Sequence, residues 1–150
     1  MPDKPPFFPQ EREYSCAPAC LRMILAYYGI EKSEDDLIYA CNCMPYQNQG
    51  TDKRDLVRAA KEFGFIRSSL SRLNIDELKS TIEEGFYPIA YIVTEVIPIK
   101  QMHSVVVAGI EKDFIRLLDP GHPEGEYIIS LEAFLEKWEL ARNLTIIIRR

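Results

Sequence analysis

The hydrophobic period of this chain changes at Gly85, and that change constrains the fold more than any other feature. Upstream, apolar residues recur three and four apart. Leu21, Ile24, Leu25 and Tyr28 precede Gly29, Leu56, Ala59, Ala60 and Phe63 precede Gly64, and Leu78 and Ile82 precede Gly85. Such spacing lines one face of a helix, and a glycine ends each run. A further helix is predicted over 33–43, opened by Ser33 with Glu34, Asp35 and Asp36 at the positive end of its dipole. Downstream, β-branched runs predict strands over 88–94, 104–110, 114–118, 127–129 and 144–148, with a turn at Glu111-Lys112-Asp113. Between the last two, Ser130 caps a helix carrying Leu131, Phe134, Leu135 and Trp138. Helices followed by strands predict an α+β domain with an antiparallel sheet.

A chain of 150 residues is one ordinary domain, large enough to build a core without a disulfide or metal staple. Hydrophobic residues make up 47% and charged residues 27%, which excludes disordered and collagen-like architectures. A net charge of -5 with scattered basic residues gives no field for nucleic acid, and no apolar run reaches membrane-spanning length. Residues 1–9 hold four prolines and predict an extended surface segment without the apolar stretch of a secretory signal, so the expected location is the cytoplasm.

The chemistry-bearing residues are few. Cys16 falls at the start of an apolar helix, where unpaired N–H groups and the dipole lower a thiol pKa; the competing reading is a small core residue. Of two histidines, His103 stands at the predicted start of the 104–110 strand, a rigid place for a base, whereas His122 lies in the loop Asp119-Pro120-Gly121-His122-Pro123. Asp119 reads either as a turn-former or as the acceptor that fixes the His103 tautomer. A hairpin centred near residue 111 or 112 sets 103 and 119 roughly opposite each other. Gln10, six residues before Cys16, has an amide able to donate to an oxyanion. Cys16 with Cys20 and Cys41 with Cys43 offer four thiolates, but without the usual pairing of a structural zinc site, so neither metal nor cofactor is expected.

These residues together resemble the bacteriocin-processing (double-glycine leader) peptidase domains of the papain-like cysteine protease superfamily. The matching segments are Phe8-Pro9-Gln10, Cys16-Ala17-Pro18-Ala19-Cys20-Leu21, Met23 to Leu25, Tyr27-Tyr28-Gly29, Gln49-Gly50-Thr51, the run 56–64, His103 to Val107, Leu118 to Gly121 and 131–138. The resemblance implies a papain-like fold. It assigns Cys16 as nucleophile, His103 as base, Asp119 as the carboxylate that orients it, and Gln10 as oxyanion donor. It also implies a peptide or protein substrate cleaved after small residues such as Gly-Gly, with a transporter as a further partner. Where the family carries glycine after the nucleophile, this chain has Ala17. Two other functions remain open: a peptide-binding pseudoenzyme using the same cleft, and an acyl or peptidyl transferase using the same triad.

Overall fold

The computed structural model describes residues 3–44, 51–96 and 99–150. Helix α1 spans Cys16–Tyr27, α2 Glu34–Ala40 and α3 Lys53–Glu62; then follow β1 Ser69–Arg72, α4 Ile75–Glu83, β2 Ile89–Val96, β3 Ile99–Glu111, β4 Phe114–Leu118, β5 Glu126–Ser130, α5 Leu131–Leu140 and β6 Leu144–Ile147. Local chemistry sets most helix starts. Ser33, Asp52 and Ser130 accept backbone N–H bonds from Asp36, Arg54 and Ala133, and Asn74 forms a reciprocal capping box with Glu77. Helix α2 ends at Ala40, with Cys41 as its cap, so it is shorter than the 33–43 expected.

Among the described residues the sheet has six strands in the order β1-β6-β2-β3-β4-β5, with every described pairing antiparallel. Five of these strands are legible in the sequence. The sixth, β1, holds a single apolar residue in Ser69-Leu70-Ser71-Arg72 and, among the described residues, pairs with β6 alone at the sheet edge. The helices do not all lie on one face. Leu21, Leu25 and Ala60 pack with Val106, Leu118 and Ile146, whereas Leu78, Phe134 and Trp138 pack with Ile92, Val105 and Leu117 in a second core. The sheet is therefore covered on both faces, which accounts for the apolar rather than alternating sequence of β2 and β3.

Strand β3 is longer than the sequence indicates. It begins at Ile99, so His103 lies within the strand, paired with Ile92, rather than at its start. Between Val107 and Gly109 the β3–β4 register shifts, leaving Ala108 as an extra residue in the ladder. No helix among the described residues is long and apolar enough to cross a membrane.

Candidate active site

The site forms where the start of α1, the middle of β3 and the loop after β4 meet. Cys16 is the first residue of α1, partly accessible at the edge of an otherwise buried helix face. Ala17 behind it is buried and stands in the helix, outside the positive-φ residues, so its methyl group is accommodated without backbone strain. The ring of His103 stands near enough to Cys16 to favour its thiolate, and its Nε2 lies 2.5 Å from Asp119 Oδ1. With Nε2 turned to the carboxylate, Nδ1 is the nitrogen left for the sulfur. The two side chains are 18% and 9% exposed, so the couple is shielded from bulk water.

Asp119 is itself held from several sides. Gly121 N donates to Oδ1 at 2.9 Å and Tyr127 Oη to Oδ2 at 3.0 Å. Burial alone would raise its pKa, but the bonds from His103, Gly121 and Tyr127 bring it below the usual carboxylate value. His103 responds in the opposite sense. Burial disfavours its charge, yet Asp119 and Cys16 outweigh burial and push it up to about 10. Burial likewise raises Cys16, while His103 and Ser104 bring it below the ordinary thiol value. All three directions favour a thiolate beside an imidazolium. The other cysteines do not share this environment. Cys20 and Cys41 are fully buried and Cys43 nearly so, and burial raises all three thiols. Among the described residues no group of three or more Cys, His, Asp or Glu could hold a metal.

Gln10 reaches the site by a different route. Its backbone N–H donates to Pro120 O at 3.0 Å, tying the N-terminal segment to the loop that carries Asp119. Its Nε2 donates to Arg12 O and Glu13 O at 2.8 and 3.1 Å, and Oε1 is buried without a partner. A Cβ added at Gly121 would lie 3.1 Å from both Gln10 Oε1 and His103 Cε1, so a glycine is what lets these groups converge. His122 takes no place at the sulfur; its ring stacks on Tyr127 with 4.3 Å between centroids.

The sequence reading missed two contributors. Ser104 is fully buried, accepts from Cys20 Sγ at 3.7 Å, and helps hold the Cys16 thiol below its ordinary value. Tyr127 supplies the second anchor of Asp119. Neither carries a local signal, because a serine and a tyrosine within strands read as ordinary core or rim residues. The segment Gln49-Gly50 lies outside the described residues.

An α+β fold that sets a helix-start cysteine against a strand histidine and a loop aspartate has the architecture of the papain-like class. The chain belongs to the Peptidase C39 family, which it matches over residues 4–148. It is 28% identical over 134 residues to the transport/processing ATP-binding protein ComA of Streptococcus pneumoniae. It is 30% identical over 130 residues to the lactococcin-A transport/processing ATP-binding protein LcnC of Lactococcus lactis. These matches take in 87% and 86% of this chain but only 17% of each relative. The fold resembles the crystallised peptidase domain of Streptococcus ComA, with a TM-score of 0.78 and 24% identity, covering 96% of this chain and 98% of that one. It also resembles a double glycine motif protease from an AMS/PCAT transporter in complex with the leader peptide, with a TM-score of 0.77 and 23% identity, covering 97% and 91%. The five helices and antiparallel six-stranded sheet of the described residues thus form a C39-type papain-like domain.

Proposed function

We propose that this protein is a cysteine peptidase that cleaves a peptide bond following small residues, such as the Gly-Gly end of a leader peptide. The observation that carries the reading is the His103 ring set between Cys16 and Asp119, with both partners raising its affinity for a proton. The substrate class rests on membership of the C39 family and on the double glycine motif protease of the same fold. A transporter that exports the cleaved product is the partner suggested by ComA and LcnC.

In this mechanism the Cys16 proton resides on His103, and the thiolate attacks the scissile carbonyl carbon. The oxyanion is received by the Cys16 backbone N–H, one of the unpaired donors of the first helical turn. The second donor is Gln10 Nε2, once rotation of the amide exchanges one of its two carbonyl partners for the oxyanion. A single donor of this kind is worth roughly 10²–10³ in rate. His103 then protonates the leaving amine and the peptide departs. Water, deprotonated by the same imidazole, hydrolyses the thioester, and the second product leaves as a carboxylic acid. Asp119 keeps Nε2 protonated and opposes the charge on the ring.

The test is digestion of synthetic peptides containing a Gly-Gly junction, read by mass spectrometry. The wild-type chain is expected to release the peptide carboxyl-terminal to the pair. Cys16→Ala is expected to release none, with its thermal transition unchanged because the side chain sits at the rim of the core. Full hydrolysis by Cys16→Ala defeats the assignment.

A further inference from the structure

Glu34 is a carboxylate with no place in the mechanism above, and it is fully buried. A buried carboxylate is costly unless its oxygens are bonded. One oxygen, Oε2, accepts from the backbone N–H of Glu11 at 2.7 Å, and Oε1 has no partner. Burial accordingly holds its pKa above the usual carboxylate value. A leucine would fill the same volume without this cost, so the carboxylate acts through what it touches.

What it touches is the segment joining Gln10 to Cys16. That segment forms a compact turn: Ser15 N and Ser15 Oγ donate to Arg12 O at 3.2 and 2.9 Å, and Arg12 N donates to Ser15 Oγ at 3.1 Å. Gln10 Nε2 closes the turn on Arg12 O and Glu13 O. The neighbourhood of α2 grips it at three points. Glu34 holds Glu11 N, Asp35 pairs with Arg12 at 2.7 Å, and Cys43 Sγ donates to Tyr14 O at 3.4 Å. The Arg12–Asp35 pair is largely exposed and contributes little. Glu34 is the buried grip, and it acts one residue from Gln10.

We infer that Glu34 is the positioning residue of the oxyanion side of the site: its carboxylate fixes the Glu11 N–H and thereby the approach of Gln10 to Cys16. This rests on the reading of Gln10 as oxyanion donor. Displacing such a donor by about 1 Å costs on the order of 10²-fold in rate.

The experiment compares Glu34→Leu, Glu34→Gln and Gln10→Ala in the full chain, using a Gly-Gly peptide. Glu34→Leu is expected to lower kcat roughly 10- to 100-fold, with KM within about twofold. Its thermal transition and its rate of Cys16 alkylation should stay near wild type, since neither depends on the oxyanion donor. Glu34→Gln keeps an acceptor oxygen and should restore most of kcat. In parallel, hydrogen exchange at the Glu11 amide should be slow in the wild type and Glu34→Gln and fast in Glu34→Leu. Unchanged kcat in Glu34→Leu, or an equal loss in Glu34→Gln, overturns the proposal. So does a parallel loss of alkylation, which marks a general structural role. Should Glu34→Leu fail to fold, the kcat of Glu34→Gln decides. Loss of kcat in Gln10→Ala but not in Glu34→Leu removes the grip alone. Full activity in Gln10→Ala beside an inert Cys16→Ala removes the oxyanion reading and the grip with it. A wild-type chain that cleaves nothing defeats the peptidase reading itself, and the Glu11 amide then reports separately on the grip.

Discussion

Replacing Asp119 by asparagine removes one negative charge while leaving the local hydrogen bonds satisfiable. The wild-type Oδ1 faces two donors, His103 Nε2 and Gly121 N, so the amide oxygen of the variant belongs there. The Nδ2 group then faces the Tyr127 hydroxyl, which can turn and accept instead of donating. Tautomer and loop are retained, and the charge is lost. Two unit charges ~4 Å apart at an effective dielectric of ~20 interact by about 4 kcal/mol, which is about 3 pH units. That magnitude agrees in sign with the push on His103, which Asp119 and Cys16 together raise to about 10 against an ordinary 6.5 despite the opposing effect of burial. In Asp119→Asn the His103 pKa should therefore return toward 6.5 or below, and Cys16, deprived of its cationic partner, should rise. Alkylation of Cys16 by iodoacetamide across pH reads this directly. At neutral pH the rate should fall roughly 10²- to 10³-fold, and the onset should move toward the ordinary thiol range. Stability responds with the same sign. Raising His103 stabilises the fold fully below 6.5, and the benefit fades as pH rises through about 10. The lowered Asp119 pKa contributes above its ordinary 3.8 and fades as pH falls through the folded value. The gap between the thermal transitions of wild type and variant should thus be widest between those ordinary values and close on either side. An alkylation profile identical in the two proteins would refute the reasoning.

Other substitutions probe the same site. Ser104→Ala removes a hydroxyl that helps hold the Cys16 thiol down, so the Cys16 pKa should rise and alkylation at neutral pH should slow about 10-fold; an unchanged profile would leave Ser104 as a partner of Cys20 alone. Gly121→Ala places a methyl group 3.1 Å from Gln10 Oε1 and His103 Cε1, and should lower kcat on a Gly-Gly peptide at least 10-fold with little change in the thermal transition. A Gly121→Ala enzyme with full kcat would show that the loop yields without disturbing either side chain.

The sequence was informative wherever a local rule acts alone. The caps at Ser33, Asp52, Asn74 and Ser130, the helix-start position of Cys16 and the hairpin between β3 and β4 follow from nearest-neighbour chemistry. The separation of 16 residues between His103 and Asp119 was legible as hairpin geometry. What escaped depends on partners distant in sequence. Strand β1 exists because β6 offers it a ladder, and no period marks a four-residue edge. The early start of β3 is set by pairing along the full length of β2. Ser104 and Glu34 matter through neighbours 84 and 23 residues away, and a lone buried serine or glutamate leaves no pattern to detect.

The extra residue at Ala108 gives the β3–β4 hairpin an even–odd rule. The ladder leaves the turn with Glu111 opposite Phe114 and Gly109 opposite Arg116, and after Ala108 it continues with Val107 opposite Leu117 and Val106 opposite Leu118. One further step sets Asp119 across from Val105, in the same alternating row as His103. Were Ala108 paired with Leu117 in an unbroken ladder, the same step would set Asp119 across from Val106, in the row of Ser104 and the core packed against α1. A single-residue length change in this hairpin therefore moves Asp119 into the other row unless a bulge is gained or lost to absorb it, whereas a change of two keeps the row. In a lineage carrying this site, insertions and deletions there should come in twos, or singly with the gain or loss of a bulge.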